Sequence, residues 1–98
     1  MANGNIKVLL IEDSPLAASM IRGMLSEGKG SRIALENIDN VAAAQKRIAV
    51  GDIDAILVDL NLPDSNGLDT FLNIHAKAPK TPIIILTGQA TRSSRSPR

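Results

Sequence analysis

Three apolar runs, each ending in a polar residue or followed directly by one, constrain the fold of this 98-residue chain more than any other feature. They cover residues 6–11, 55–59 and 82–87. Near-continuous apolar runs of this length are typical of strands that are buried on both faces of a parallel sheet. The residues between the runs must then supply the helices that cover that sheet.

The first of these helices follows the first run directly. Ser14 can cap a helix whose first position is Pro15. Apolar side chains then recur at helical spacing, with both methionines expected in the core: Leu16, Met20, Ile21, Met24 and Leu25. The glycines at 28 and 30 are expected to end this helix.

The middle of the chain predicts a short strand and two more helices. Residues 33–38 form the strand, and Asn40 can cap a helix that Gly51 closes. Residues 61–67 are dense in turn formers, where Gly67 is expected to adopt a backbone conformation that other residues avoid. The inner faces of the two helices are predicted from their apolar residues: Val41, Ala44 and Ile48 in one, and Leu68, Phe71, Leu72 and Ala78 in the other.

The resulting order, β-α-β-α-β-α-β, predicts an α/β fold with a doubly wound parallel sheet of four strands and about three helices. In such sheets the working site lies at the carboxyl ends of the strands. Glu12 and Asp13 follow the first strand, Asp59 ends the third, and Thr87 and Gly88 follow the last. Three crowded carboxylates repel one another unless a cation compensates them, and oxygen ligands suit Mg²⁺. The pattern therefore favours phosphoryl chemistry.

The motifs at these strand ends are similar to those of a known family. Residues 11–14 read Ile-Glu-Asp-Ser, residues 57–68 read Leu-Val-Asp-Leu-Asn-Leu-Pro-Asp-Ser-Asn-Gly-Leu, and residues 82–88 read Pro-Ile-Ile-Ile-Leu-Thr-Gly. In this order and spacing they resemble the receiver domain of two-component response regulators over residues 6–88. The resemblance implies a flavodoxin-like fold with strand order 2-1-3-4-5, and a phosphoacceptor signalling domain that catalyses only its own phosphotransfer and dephosphorylation.

The resemblance also implies a set of metal ligands. Asp13 and Asp59 would bind Mg²⁺ directly, together with the backbone carbonyl of Asn61. Glu12 would act through a metal-bound water. On the residues alone, Glu12 and Asp13 could instead simply begin the first helix, where acids favour the helix dipole.

The phosphoryl group would be carried by Asp59, which the resemblance identifies as the acceptor from a histidine kinase or a phosphotransfer protein. Thr87 would donate a hydrogen bond to a phosphoryl oxygen, and the backbone N–H groups of Asn61 and Gly88 could do the same. Taken alone, Asp59 could be a turn residue and Thr87 an ordinary strand end. His75 has no partner pattern and is expected on a solvated face.

Two departures from the family pattern concern the end of the chain. The usual fifth strand, which ends in a lysine, and the last helix are not recognisable, so residues 1–88 are expected to form a truncated domain. Residues 89–98 carry three arginines and no acid, and are expected to be a disordered or non-native tail. Residues 82–87 would then form an apolar edge strand, which predicts a homodimer through the exposed sheet edge or face.

Composition excludes several other classes of protein. The chain has no cysteine, which rules out disulfides and thiolate metal sites and fits a cytoplasmic location. No run approaches the ~20 apolar residues of a membrane span. Residues 1–88 carry eight basic and ten acidic side chains, a net of −2, so this domain is not expected to bind nucleic acid.

Three rival functions remain open at this stage. The domain could be a non-switching fragment that acts through protein interaction or dimerisation. It could be a phosphohydrolase with an aspartate nucleophile, although such enzymes place a general acid two residues after the nucleophile, where this chain has Asn61. A nucleotide-binding domain would want a glycine-rich loop after the first strand, where this chain has Glu-Asp-Ser-Pro.

Overall fold

The computed structural model describes residues 5–26 and 32–86. The main strands are β1 (Ile6–Ile11), β2 (Ile33–Ile38), β3 (Ala55–Asp59) and β6 (Ile83–Leu86), and a small hairpin is formed by β4 (Asn61–Leu62) and β5 (Ser65–Asn66). The helices are α1 (Pro15–Ser26), α2 (Val41–Val50) and α3 (Leu68–Lys77). Thr87, Gly88, the tail 89–98 and the glycines at 28 and 30 lie outside the described residues.

The four main strands form one parallel sheet in the order β2-β1-β3-β6. This arrangement confirms the predicted α/β fold and the first four places of the expected strand order. The central strand β1 pairs with both β2 and β3, and its residues 8–11 are all buried. Within the described residues β6 lies at the edge of the sheet, next to β3.

The sheet is covered on both faces, as its apolar strands require. Helix α1 packs through Ala18 against Val8, Leu10 and Leu57. On the other face α2 and α3 enclose a larger core, whose buried residues are Leu9, Ile11, Val41, Ala44, Ile48, Ile56, Val58, Leu62, Ile74 and Ala78. No helix within the described ranges is long and apolar enough to cross a membrane.

Local signals place the helix boundaries as predicted. The Ser14 hydroxyl accepts a hydrogen bond from Ala17 N at 3.2 Å, and α1 begins at Pro15. Asn40 Oδ1 accepts from Ala43 N at 2.8 Å, and Gly51 ends α2. Gly67 precedes α3 with φ of +63°, a conformation that favours glycine.

The predicted inner face of α1 is confirmed for Ile21 and Leu25 and wrong for the other three residues. Leu16, Met20 and Met24 are 71%, 60% and 62% exposed. The residues that contact the sheet are the buried Ala18, which was not predicted, and the half-buried Ile21 and Leu25, which were. Both sets recur at helical spacing but lie on different sides of the helix. The small Ala18 side chain permits close contact between the helix and the sheet, whereas the long methionine side chains remain in solvent.

The predicted inner face of α3 is confirmed for Ala78, which is buried, but needs correction elsewhere. Leu68 and Leu72 are 65% and 51% exposed, whereas Thr70 and Ile74 are completely buried. The buried threonine escaped prediction because a polar residue was not expected in the core. His75 is exposed as predicted, and its ring stacks on Phe71 with 5.5 Å between centroids.

Candidate functional site

An acidic cluster lies at the carboxyl edge of the sheet. Glu12 and Asp13 follow β1, and Asp59 is the last residue of the neighbouring β3. Because β1 and β3 are parallel and adjacent, their ends meet, and carboxylate oxygens of the three residues lie within 4.8 Å of one another. The predicted convergence of these three side chains is therefore found in the structure.

The three acids differ in their exposure to solvent. Glu12 is only 6% exposed, Asp59 is half-buried and Asp13 is exposed. Burial raises the pKa of Glu12 above its usual value of 4.5, and the neighbouring carboxyls of Asp59 and Asp13 raise it further. A hydrogen bond from the backbone N–H of Ser14 opposes this rise. The buried acid is thus held in a site that disfavours its charge unless a cation is present.

The backbone that carries Glu12 is fixed by β2, which pairs with β1. The side-chain amide of Asn37 donates to the carbonyl oxygens of Leu10 and Glu12, at 3.0 and 3.2 Å. The backbone N–H of Glu12 donates to the carbonyl of Ile38 at 2.9 Å. These bonds extend the pairing of β1 and β2 past the end of β1, so that Glu12 is held in a defined position.

The segment after Asp59 is equally well fixed. Asn61 N donates to Asp59 Oδ1 at 3.0 Å, which closes a tight turn around the acid. The hydroxyl of the buried Thr70 donates to the carbonyl of Leu60 at 2.9 Å and lies 3.0 Å from the Ser65 hydroxyl. The start of α3 therefore holds the segment that leads away from Asp59.

The segment 60–66 also contacts the start of α2. Asp64 Oδ1 accepts from Val41 N at 2.9 Å, and Asp64 Oδ2 accepts from Ala42 N at 3.1 Å. These hydrogen bonds hold the pKa of Asp64 below its usual value of 3.8. Sequence reasoning did not single out Asn37, Asp64 or Thr70, because their partners are ten or more residues away along the chain.

The cluster has the chemistry of a site for a hard divalent cation. Its donors are all carboxylate oxygens, they converge from two strand ends, and Asp13 leaves the site open to solvent. Mg²⁺ is commonly bound through one or two carboxylates while it keeps several waters and contacts phosphate oxygens. The residues present therefore fit Mg²⁺.

Comparison with known proteins gives a consistent family. The family model described as the response regulator receiver domain matches residues 8–96. The cell cycle transcriptional regulator CtrA of Caulobacter vibrioides is 37% identical over 89 residues, which cover 87% of this chain and 36% of that protein. The glycerol metabolism activator of Pseudomonas putida is 30% identical over 83 residues, which cover 85% of this chain and 38% of that protein. The chain thus spans less than two-fifths of these relatives.

Solved structures resemble the same fold. The receiver domain of a sensor histidine kinase from Pseudomonas aeruginosa, solved with a magnesium ion coordinated in its active site cleft, matches with a TM-score of 0.75 and 28% identity. That match covers 94% of this chain and 75% of the other. The signal receiver domain of an HD domain-containing protein from Pseudomonas fluorescens has a TM-score of 0.73 at 19% identity, covers 87% of this chain and 60% of the other, and supports the fold alone.

Proposed function

The chain belongs to the family of response regulator receiver domains, and on that basis we propose that it accepts a phosphoryl group on Asp59 in a two-component phosphorelay. The donor would be a phosphohistidine on a histidine kinase or phosphotransfer protein, and the location would be the cytoplasm. The observation that carries the proposal is the position of Asp59, whose carboxylate lies within 4.8 Å of those of Glu12 and Asp13.

The acidic cluster would hold Mg²⁺ during this transfer. Asp13 and Asp59 would be its direct protein ligands, together with the backbone carbonyl of Asn61, and Glu12 would contact it through a water. When bound, the metal would neutralise the carboxylates and the phosphoryl oxygens. The raised pKa of Glu12 is consistent with this assignment, because it comes from burial and from the neighbouring carboxyls of Asp59 and Asp13, and a bound cation would offset both effects.

The chain's own residues would supply the nucleophile and its orientation. A carboxylate oxygen of Asp59 would form a bond to phosphorus while the phosphorus–nitrogen bond to the donor histidine breaks, and that electron pair would return to the imidazole nitrogen. The N–H of Asn61, which donates to Asp59 Oδ1, is well placed to donate to an oxygen of the phosphoryl group on Asp59. Roles for the Thr87 hydroxyl and the Gly88 N–H at the phosphoryl group remain part of the proposal.

Phosphorylation by a small donor tests this function. The protein would be incubated with acetyl phosphate and Mg²⁺, and its intact mass measured. We expect a gain of one phosphoryl group. EDTA and the substitution Asp59→Asn should prevent this gain, and hydroxylamine should remove the group once it has formed. Asp52→Asn is the matched control, because Asp52 is an exposed acid before β3, at the opposite edge of the sheet. A folded protein that gains no phosphoryl group would refute the proposal.

A second candidate function is a non-switching interaction or dimerisation module, which the exposed side of β6 favours. Ile84 and Ile85 are 53% and 36% exposed, and Ile84 lies on the same face of the sheet as Leu57, its partner in β3. Exposed apolar strands tend to pair with other chains. Sedimentation analysis should then show a dimer that Ile84→Lys dissociates and that Val50→Lys, a change of the 77% exposed Val50 on α2, leaves intact. A monomeric wild type would remove this candidate.

A further inference from the structure

Asp64 occupies an unusual position between the segment after Asp59 and helix α2. Both of its carboxylate oxygens are engaged by consecutive backbone N–H groups, those of Val41 and Ala42, more than 20 residues away along the chain. Helix α2 already has a local cap, Asn40, whose side chain accepts from Ala43 N. Of the three N–H groups at the start of α2, two therefore donate to the distant Asp64 and one donates to the local Asn40.

This contact fixes more than the end of a helix. Asp64 lies in the turn of the β4–β5 hairpin, where Leu62 pairs with Ser65 and Asn61 pairs with Asn66. These two antiparallel residue pairs connect the turn to the base of the hairpin. Asn61 lies at that base, two residues after Asp59.

The base of the hairpin is held from the other side as well. The Thr70 hydroxyl contacts the carbonyl of Leu60 and the hydroxyl of Ser65, and Leu62 is buried in the core beneath α2 and α3. Among the described contacts, Asp64 provides the hydrogen bonds that join the tip of the hairpin to α2. Without Asp64, the described hydrogen bonds from the helices to this segment would come from Thr70 of α3 alone.

We infer that Asp64 is a positioning residue for the metal site, because its hydrogen bonds to the first turn of α2 fix the hairpin that presents the backbone carbonyl of Asn61. The inference rests on the proposed function, in which that carbonyl is a ligand of Mg²⁺. Asp64 itself does not contact the metal. It acts by restricting the movement of the Asn61 carbonyl, a backbone ligand whose position depends on how firmly the hairpin is held.

The affinity for Mg²⁺, measured by ¹H–¹⁵N NMR titration of the full chain, tests this role. Groups that orient metal ligands typically contribute about 10- to 100-fold to metal affinity. We expect Asp64→Ala to weaken Mg²⁺ binding at the lower end, about 10-fold. Asp64→Asn removes the same charge but keeps one oxygen acceptor, so it should bind Mg²⁺ more tightly than Asp64→Ala.

The matched control is Asn40→Ala, which removes a cap from the same helix end without touching the hairpin. It should destabilise α2 and leave the Mg²⁺ dissociation constant unchanged. Equal weakening in Asp64→Ala and Asp64→Asn would assign the effect to charge and overturn the inference. Equal Mg²⁺ affinities in the wild type and all variants would also overturn the inference. A wild type that binds no Mg²⁺ would contradict the proposed metal site itself, and the role of Asp64 with it.

Discussion

Neutralising Glu12 should stabilise the metal-free protein. Glu12 is 6% exposed, and its carboxylate lies within 4.8 Å of those of Asp13 and Asp59. At 4.8 Å, two unit charges repel by about 0.9 kcal/mol in bulk water and by about 3.5 kcal/mol near a protein surface. Since Asp13 is exposed and Asp59 half-buried, solvent screening keeps the effect near the lower value. We expect Glu12→Gln to raise the free energy of unfolding by about 1–2 kcal/mol.

Urea unfolding followed by far-ultraviolet circular dichroism, in EDTA at neutral pH, measures this gain. The glutamine oxygen can still accept the hydrogen bond from Ser14 N, so the comparison isolates the charge. Asp52→Asn is the control for net charge and should leave the stability within about 0.5 kcal/mol of the wild type. A Glu12→Gln protein that is less stable than the wild type in EDTA would refute the reasoning.

Adding Mg²⁺ should reduce the advantage of Glu12→Gln over the wild type. A ligand at 100 times its dissociation constant stabilises the folded state by about 2.7 kcal/mol. The wild type should gain close to this amount, whereas Glu12→Gln should gain less because it lacks the acid that we propose to contact the metal through water. Equal gains in both proteins would exclude Glu12 from the metal site.

Three further predictions concern pH and packing. Because the folded pKa of Glu12 is raised, its contribution to stability is present below its unfolded pKa of about 4.5 and is lost as the pH rises through the higher folded value. The stability advantage of Glu12→Gln in EDTA should therefore vanish near pH 4 and grow towards neutrality. An advantage that stays constant with pH would be inconsistent with this cause. Thr70→Val should cost about 1–3 kcal/mol in urea unfolding, since it leaves the carbonyl of Leu60 without its donor; an unchanged stability would show that water replaces the hydroxyl. Met20→Ser should change the free energy of unfolding by less than about 0.5 kcal/mol, whereas Ile74→Ala should lower it by about 2–5 kcal/mol. A large loss of stability in Met20→Ser would indicate that Met20 is buried in the core.

The sequence was sufficient to predict the strands in chain order and, with the strand order that the resemblance to receiver domains implies, the meeting of the three acids. Buried parallel strands are recognisable because both faces need apolar residues. Once β1 and β3 are neighbours, the residues at their ends, Glu12, Asp13 and Asp59, have to converge. This conclusion depends on topology and needs no knowledge of side-chain packing.

The face of a helix was harder to predict than its presence. In α1, two apolar stripes have the same spacing, one through Met20 and the other through Ala18. Hydrophobicity favours the larger side chains, but the distance between helix and sheet favours the small one. That distance is set by the whole packed structure, so the pattern of α1 alone cannot choose between the stripes.

The residues that support the site could not be predicted for a related reason. Asp64 caps a helix that begins 23 residues earlier, and Asn37 bonds to a strand 27 residues earlier. Local capping rules recognise a residue such as Asn40, whose partner is three positions away. They give no signal for a cap supplied from another part of the fold.

The site of phosphorylation within the acidic cluster is the most direct test of the account. The protein would be treated with acetyl phosphate and Mg²⁺, reduced with borohydride, which converts an aspartyl phosphate to homoserine, and sequenced by tandem mass spectrometry. The account predicts homoserine at position 59, with Asp13 unmodified even though it is the more exposed acid. Homoserine at position 13, or at no position in a protein that is shown to be folded, would contradict it.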